Sequence, residues 1–135
     1  MLGDRLTREP GNASTSALSY WIDGCYPARM PGFLLCLTTC PDAETAARIA
    51  FALVEERLAA CVNRVAGIAS TYRWQGKILE ESEVLLLIKT TAGRFEALRT
   101  RLVDLHPYDT PELLALDVRD GYAPYLDWIG NETAP

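Results

Sequence analysis

The residues best suited to chemistry lie in the segment from His106 to Glu112. It contains the only histidine of the 135-residue chain, followed by Tyr108, Asp109 and two prolines. Pro107 disfavours helical geometry at His106, so we expect the imidazole to stand at the end of a helix. An imidazole there can serve as a metal ligand, but a cation also complements the helix dipole at that end, so a structural role is the alternative.

Thiols are the natural partners of an imidazole for a soft or borderline metal ion. The four cysteines contain no CxxC pair, and their spacing fits neither a zinc finger nor a redox motif. We take Cys40 and Cys61 as candidate metal ligands beside His106. Cys36 and Cys61 lie in apolar sequence, which also predicts ordinary buried thiols in a reducing, cytoplasmic setting.

Five other side chains are candidates for a subunit interface or a ligand cleft. They are Tyr72, Trp74, Lys89, Tyr108 and Glu112. Aromatic residues near a hairpin tip are typical interface anchors, and a lysine at the end of a buried strand either attracts anions or extends to water. Asp109 and Glu112 are oxygen ligands for harder ions or ordinary turn residues.

The motifs of an enzyme are missing from the sequence. It shows no nucleophile–base pair, no glycine-rich phosphate loop and no metal-hydrolase triad. A single histidine without an evident partner supports catalysis weakly, so we expect a protein that is not an enzyme.

Composition narrows the class of protein further. Apolar residues make up 49% and charged residues 23%, as in one soluble globular domain. The net charge is −5 and the 13 basic residues are scattered, which argues against nucleic acid or an anionic membrane as partner. The longest apolar runs, Phe33–Leu37 and Val84–Ile88, are too short to span a bilayer.

The pattern of apolar residues predicts the elements that position these side chains. Phe33–Thr39 is a continuous apolar run, which is typical of a strand buried on both faces. Pro41-Asp42 begins a helix with Asp42 or a neighbouring residue as its cap, and Arg57 is expected in its last turn. The helix stripe is Ala46, Ile49, Ala50, Leu53 and Val54.

The second half of the chain repeats this alternation. Gly76 predicts a hairpin whose second arm, Ile78–Thr91, is polar at first and apolar from Val84. Thr90 or Thr91 is the expected cap of a second helix, which Pro107 ends. Residues 113–118 are expected to form another buried strand, and a short amphipathic helix follows.

This order predicts an α+β fold, a ferredoxin-like βαββαβ sandwich with an extended hairpin and a short C-terminal helix. Right-handed crossovers place both main helices on one face of a four-stranded sheet, so the other face needs a cover, most simply further copies of the chain. We assign residues 33–135 to this domain. Residues 1–32, rich in Gly, Pro and Ser, are expected to form a disordered or loosely attached arm, with Met30 as a candidate start of the native chain.

Five collinear motifs resemble the CutA family of divalent-cation tolerance proteins, over roughly residues 33–130. They are Pro41-Asp42 with Thr45-Ala46, Leu58–Asn63, Tyr72-x-Trp74-x-Gly76-Lys77, Lys89-Thr90-Thr91 and His106-Pro107-Tyr108-x-Thr110-Pro111-Glu112.

The resemblance implies a homotrimer like that of the PII signalling proteins, in the cytoplasm, with a role in tolerance of copper and other divalent ions. Relatives with a proposed copper site have a cysteine where this chain has Thr38 and a His-His pair where it has Leu105-His106. Cys61 matches the cysteine that follows the first helix in the family. The alternative function is a PII-like regulatory module that binds a small molecule or a protein partner in its inter-subunit clefts.

Overall fold

The computed structural model describes residues 32–135, so the predictions for the N-terminal arm and for Met30 concern a part of the chain outside the described residues. The elements are β1 (Phe33–Cys40), α1 (Ala43–Glu55), β2 (Cys61–Trp74), β3 (Lys77–Thr91), α2 (Phe95–Leu105), β4 (Leu114–Asp117) and α3 (Ala123–Glu132). A 3₁₀ turn, Ala92–Arg94, precedes α2.

The four strands form one antiparallel sheet in the order β2-β3-β1-β4. The central strands β1 and β3 pair along the whole of β1, from Phe33 opposite Thr91 to Cys40 opposite Val84. Each helical crossover joins strands that are not neighbours, which is the ferredoxin-like arrangement that the sequence predicts. The α+β fold class is therefore confirmed.

The core lies between the sheet and helices α1 and α2. Alternate residues of β1 are buried and the residues between them are half-buried, so in the single subunit one face of this strand is fully covered, whereas the sequence predicts burial on both faces. Asp42 caps α1 as predicted, because its Oδ1 accepts a hydrogen bond from the Thr45 N–H at 2.7 Å. Val54 is 43% exposed, however, so the predicted stripe is one residue too wide. The core residues include Leu34, Cys36, Cys40, Ala46, Ile49, Leu53, Leu86, Ile88, Leu98 and Leu102.

The predicted threonine cap of α2 is wrong. The buried Thr90 hydroxyl donates to the Leu58 carbonyl at 2.6 Å, and the Thr91 hydroxyl lies 3.4 Å from that of Thr133. Both side chains are thus used to join distant segments. The 3₁₀ turn separates the strand from the helix, which begins at Phe95 without a side-chain cap.

The sheet face opposite α1 and α2 is only partly covered. Helix α3 packs over one end, where Thr133 contacts Thr91 and Ile129 is buried. The remainder, which we call the open face, carries half-buried residues of β1 and β3 and exposed residues of β4. They are Leu35, Leu37, Leu85, Leu87, Leu114 and Leu116. Leu114 and Leu116 are 53% and 48% exposed, so the prediction of a buried last strand is wrong for a single subunit, in which β4 is an edge strand.

Strands β2 and β3 extend beyond the sheet as a two-stranded ribbon. Pairing with β1 stops at Val84, whereas β2 and β3 stay paired out to Trp74 and Lys77. Gln75 and Gly76 have φ of 49° and 78°, as in the two-residue type I′ turn. The hairpin is confirmed. The change from polar to apolar residues in β3 marks the point where the ribbon enters the sheet.

Candidate functional site

A cleft of about 770 Å³ lies between the ribbon and the segment that follows α2. We call it the ribbon cleft. Its walls are Thr39, Ser70, Thr71, Tyr72, Trp74, Leu79, Glu81 and Glu83 on the sheet side, and Pro107, Tyr108, Asp109, Thr110 and Glu112 on the other. The segment singled out in the sequence and the aromatic residues of the hairpin therefore meet at one site.

His106 is the residue that anchors the second wall. It ends α2 with extended backbone geometry, as Pro107 requires, and its side chain is almost wholly buried. Its Nε2 lies 2.8 Å from the Thr39 carbonyl oxygen, and its Nδ1 lies 3.1 Å from the Tyr108 backbone nitrogen. A carbonyl only accepts and an amide N–H only donates, so the ring is the neutral tautomer with its proton on Nε2.

Cys40 stands at the same edge of the sheet as His106. It immediately follows Thr39, whose carbonyl accepts the hydrogen bond from the His106 Nε2–H. The thiol is fully buried, and burial, with smaller contributions from Asp42 and Glu83, raises its pKa to about 11. Cys40 is therefore a protonated core thiol at neutral pH, and thiolate is the form that binds metal ions.

Cys61 lies far from the other two candidate ligands. Cys61 pairs with Lys89 on β3, whereas Cys40 pairs with Val84 on the same strand. Lys89 and Val84 are five residues apart, which corresponds to about 17 Å along the strand. Cys61 is half-buried at the α3 end of the sheet, with its Sγ 3.8 Å from the Lys89 Nζ. Lys89 thus faces a thiol, away from the cleft. Within residues 32–135, no group of three or more His, Cys, Asp or Glu side chains could hold a metal ion.

Tyr108 points its hydroxyl into the sheet side of the cleft. The hydroxyl donates to Glu83 Oε2 at 2.9 Å, and the ring packs on His106 with centroids 4.7 Å apart. Burial, and then the hydrogen bond to Glu83, raises the pKa of Tyr108. The hydrogen bonds of His106 thus help to position Tyr108 in the wall of the cleft.

Carboxylates on both walls share this space. Burial, and then the charge of Glu83, raises the pKa of Glu112. The Glu112 carbonyl is held separately by the Thr38 hydroxyl at 2.7 Å. On the ribbon, a hydrogen bond with Glu81 raises the pKa of the exposed Tyr72.

Sequence reasoning missed Glu81 and Glu83. Their spacing of two residues in a strand places both side chains on one face of the ribbon, and this was the signal available in the sequence. That this face meets the segment after α2 was visible only in the fold.

Comparison with known proteins agrees with this fold. The family model described as "CutA1 divalent ion tolerance protein" matches residues 34–132. The chain belongs to the CutA1 family. The family resemblance noted in the sequence is thereby confirmed.

Curated CutA proteins are similar over most of the described domain. A divalent-cation tolerance protein CutA of Thermus thermophilus is 54% identical over 97 residues, which are 72% of this chain and 94% of the relative. Human Protein CutA is 42% identical over 126 residues, 93% of this chain, and the match spans only 65% of the human protein.

Solved CutA structures superpose closely on the chain. The Thermus thermophilus divalent cation tolerance protein matches with a TM-score of 0.74 at 51% identity, covering 76% of this chain and 99% of that one. CutA1 from Oryza sativa matches with a TM-score of 0.75 at 39% identity, covering 77% and 95%. No helix in the described part of the chain is long and apolar enough to cross a membrane.

Proposed function

We propose that this CutA1-family chain works in divalent-cation tolerance as a cytoplasmic homotrimer, without catalysing a reaction. The observation that supports self-assembly is the open face, and the number of three subunits is the one that the family resemblance implies. Leu114 and Leu116 are about half exposed in the single subunit and continue the leucines of β1 and β3 across the sheet. A contiguous apolar surface of this kind is typical of an interface between subunits.

The edges of the sheet support the same proposal. β4 is a short strand with the sequence Leu-Ala-Leu-Asp, and within residues 32–135 no strand pairs with its outer edge. Likewise, no described strand pairs with the outer edge of the ribbon along the polar arm of β3. Exposed edges of this type pair readily with another chain, so neighbouring copies can extend the sheet.

These residues are poorly suited to the copper site that the family resemblance implies. Both His106 nitrogens are hydrogen-bonded, Cys40 is a buried protonated thiol, and Cys61 lies at the far end of the sheet. Binding at His106 would break one of two buried hydrogen bonds. We therefore propose that tolerance does not depend on a copper ion held by His106, Cys40 and Cys61 within one subunit.

Native mass spectrometry tests the proposed trimer and the proposal about copper in one measurement. We expect an assembly of three subunits, and the same copper content for the wild type and for His106→Ala after exposure to Cu(II) and removal of excess ion. A folded monomer at micromolar concentration would contradict the proposed trimer. The loss of one copper per subunit in His106→Ala would restore His106 as a ligand.

The cytoplasmic location is proposed from the thiols. Among the described residues, Cys36, Cys40 and Cys61 are all free, and the first two are buried in the core. Free thiols are typical of reducing compartments. Fractionation of cells that produce the tagged full chain should recover it with cytoplasmic markers, and recovery in an oxidising compartment would contradict the proposal.

The ribbon cleft favours a second candidate function, that of a PII-like module which binds a small ligand. The cleft has the volume of a ligand site and three aromatic side chains in its walls.

A further inference from the structure

Cys61 and Lys89 form a thiol–amine pair at the end of the sheet that α3 covers. They lie directly opposite each other on the neighbouring strands β2 and β3, so their side chains share one face of the sheet. The Lys89 Nζ donates to the Cys61 Sγ at 3.8 Å. No ion pair within residues 32–135 involves Lys89, so in this part of the chain the thiol is the hydrogen-bond partner of its ammonium group.

Helix α3 covers this pair within the same subunit. Burial, and then the neighbouring Cys61 thiol, raises the pKa of Tyr125, which belongs to α3. The Tyr125 ring stacks on the Trp128 ring with centroids 5.7 Å apart, which holds the tyrosine in place. The surroundings of the pair are therefore set by β2, β3 and α3, and not by the open face that further copies would cover.

Cys61 is the described thiol that a small oxidant can reach. It is half-buried, whereas Cys36 and Cys40 are fully buried and burial raises the pKa of each to about 11. Neither core thiol is placed to form a disulfide with Cys61. Cys36 lies on the other face of the sheet, and Cys40 lies about 17 Å away along the strands.

The nucleophile beside an oxidised Cys61 is therefore an amine and not a second described thiol. A cysteine sulfenic acid condenses with a nearby thiol to a disulfide, or with a nearby nitrogen to a sulfenamide. The ammonium group of Lys89 ends a flexible four-carbon stem, so its nitrogen can close the remaining distance to the sulfur without a movement of the backbone.

We propose that Cys61 and Lys89 form a reversible sulfenamide cross-link, a sulfur–nitrogen bond, when the protein meets hydrogen peroxide. In the first step the Cys61 sulfur takes one oxygen atom from peroxide, so the thiol is oxidised to a sulfenic acid and the peroxide is reduced to water. In the second step the Lys89 Nζ attacks the sulfur and the sulfur–oxygen bond breaks. The hydroxyl group leaves as water with one proton of the ammonium, and a second proton passes to solvent.

The cross-link protects the thiol and can be reversed. Two molecules of a small thiol such as glutathione restore Cys61 and Lys89 and leave as a disulfide. The sulfur is thereby kept from the sulfinic and sulfonic acids, which small thiols do not reduce. The proposal goes beyond metal tolerance, and it depends on the fold of the subunit and not on the trimer.

Peptide mapping by mass spectrometry tests the proposal on the full chain, after treatment with a small molar excess of hydrogen peroxide and digestion without reductant. We expect a species that joins the Cys61 peptide to the Lys89 peptide, with a mass two hydrogen atoms below the sum of the two. Dithiothreitol should restore both peptides. Cys36 and Cys40 should stay unmodified, because they are buried and protonated.

Three variants identify the two bonded atoms. Lys89→Arg keeps the positive charge but replaces the amine by a guanidinium that stays protonated, so we expect no cross-link and several times more Cys61 sulfenic acid trapped by dimedone. Lys77→Arg is the matched control, since Lys77 is the other lysine of the chain and lies at the hairpin, and it should cross-link as the wild type does. Cys25→Ser should also cross-link normally, which distinguishes the sulfenamide from a disulfide with the remaining cysteine.

Three outcomes would overturn the proposal. They are a Cys25–Cys61 disulfide as the main product, as much dimedone adduct in the wild type as in Lys89→Arg, or no oxidation of Cys61 by peroxide that oxidises free glutathione under the same conditions. The peptide map of the wild type decides between the cross-link and these products even for a Lys89→Arg protein that does not fold.

Discussion

At the scale of the residue, His106 is a structural linker between β1 and the segment after α2. Its replacement by alanine leaves the Thr39 carbonyl and the Tyr108 amide without partners in a buried site. We expect His106→Ala to lower the free energy of unfolding by about 3 kcal/mol. Urea unfolding at fixed protein concentration measures this. His106→Asn, which keeps an acceptor near the Tyr108 amide, should recover part of the loss, and an alanine variant as stable as the wild type would contradict the assignment.

The buried thiols make stability depend on alkaline pH. Burial raises the pKa of both Cys36 and Cys40 from 9.0 to about 11. The unfolded chain therefore releases these protons first, so their contribution is complete below about pH 9 and is lost as the pH rises towards 11. Unfolding in urea with reductant at about pH 8 and about pH 10.5 should show this fall. Cys36→Ala should have a shallower pH dependence, and an identical slope would exclude Cys36 as a cause.

At the scale of the element, the two-residue turn sets the register of the ribbon. Gln75 and Gly76 both have positive φ, which costs an L-amino acid about 1 kcal/mol or more. We expect Gly76→Ala to lower the local stability of the ribbon by about that amount and Gln75→Asn to raise it, because asparagine favours this turn. Hydrogen exchange of the ribbon amides measures the effect, and equal protection in all three proteins would contradict it.

The ribbon also decides where the cleft lies. The polar arm of β3 extends beyond the end of its pairing with β1, and there Glu81 and Glu83 line the cleft opposite the segment that follows His106. A shorter hairpin would end at the edge of the sheet and leave Tyr108 facing water. The length of the ribbon and the position of His106 together determine where the cleft forms.

At the scale of the whole molecule, the open face should control assembly. Leu116→Lys places a charge in the centre of an exposed apolar strand and should produce monomers at micromolar concentration. Phe51→Lys is the matched control, since Phe51 is 68% exposed but belongs to α1, on the opposite side of the sheet. Light scattering should give the wild-type mass for Phe51→Lys, and a Leu116→Lys protein of unchanged mass would contradict this interface.

Much of the fold was predictable from the sequence because its signals are local. Apolar periodicity placed both long helices, Asp42 marked the start of α1, and Gly76 marked the hairpin. The family motifs were also readable, since each is a short run of residues. The errors fell where a long-range partner competes with a local signal, as when Thr90 donates to Leu58 and does not cap a helix.

The site was only half determined by the sequence. The segment from His106 to Glu112 and the hairpin aromatics were identifiable as chemistry-bearing residues, and their residue types do not depend on the fold. The tertiary structure alone decided that Thr39 and Tyr108 occupy both nitrogens of His106, that Cys61 stands far from Cys40, and that Glu83 joins the cleft. Strand register and packing between segments far apart in the chain set these relations, and no periodicity within one segment encodes them.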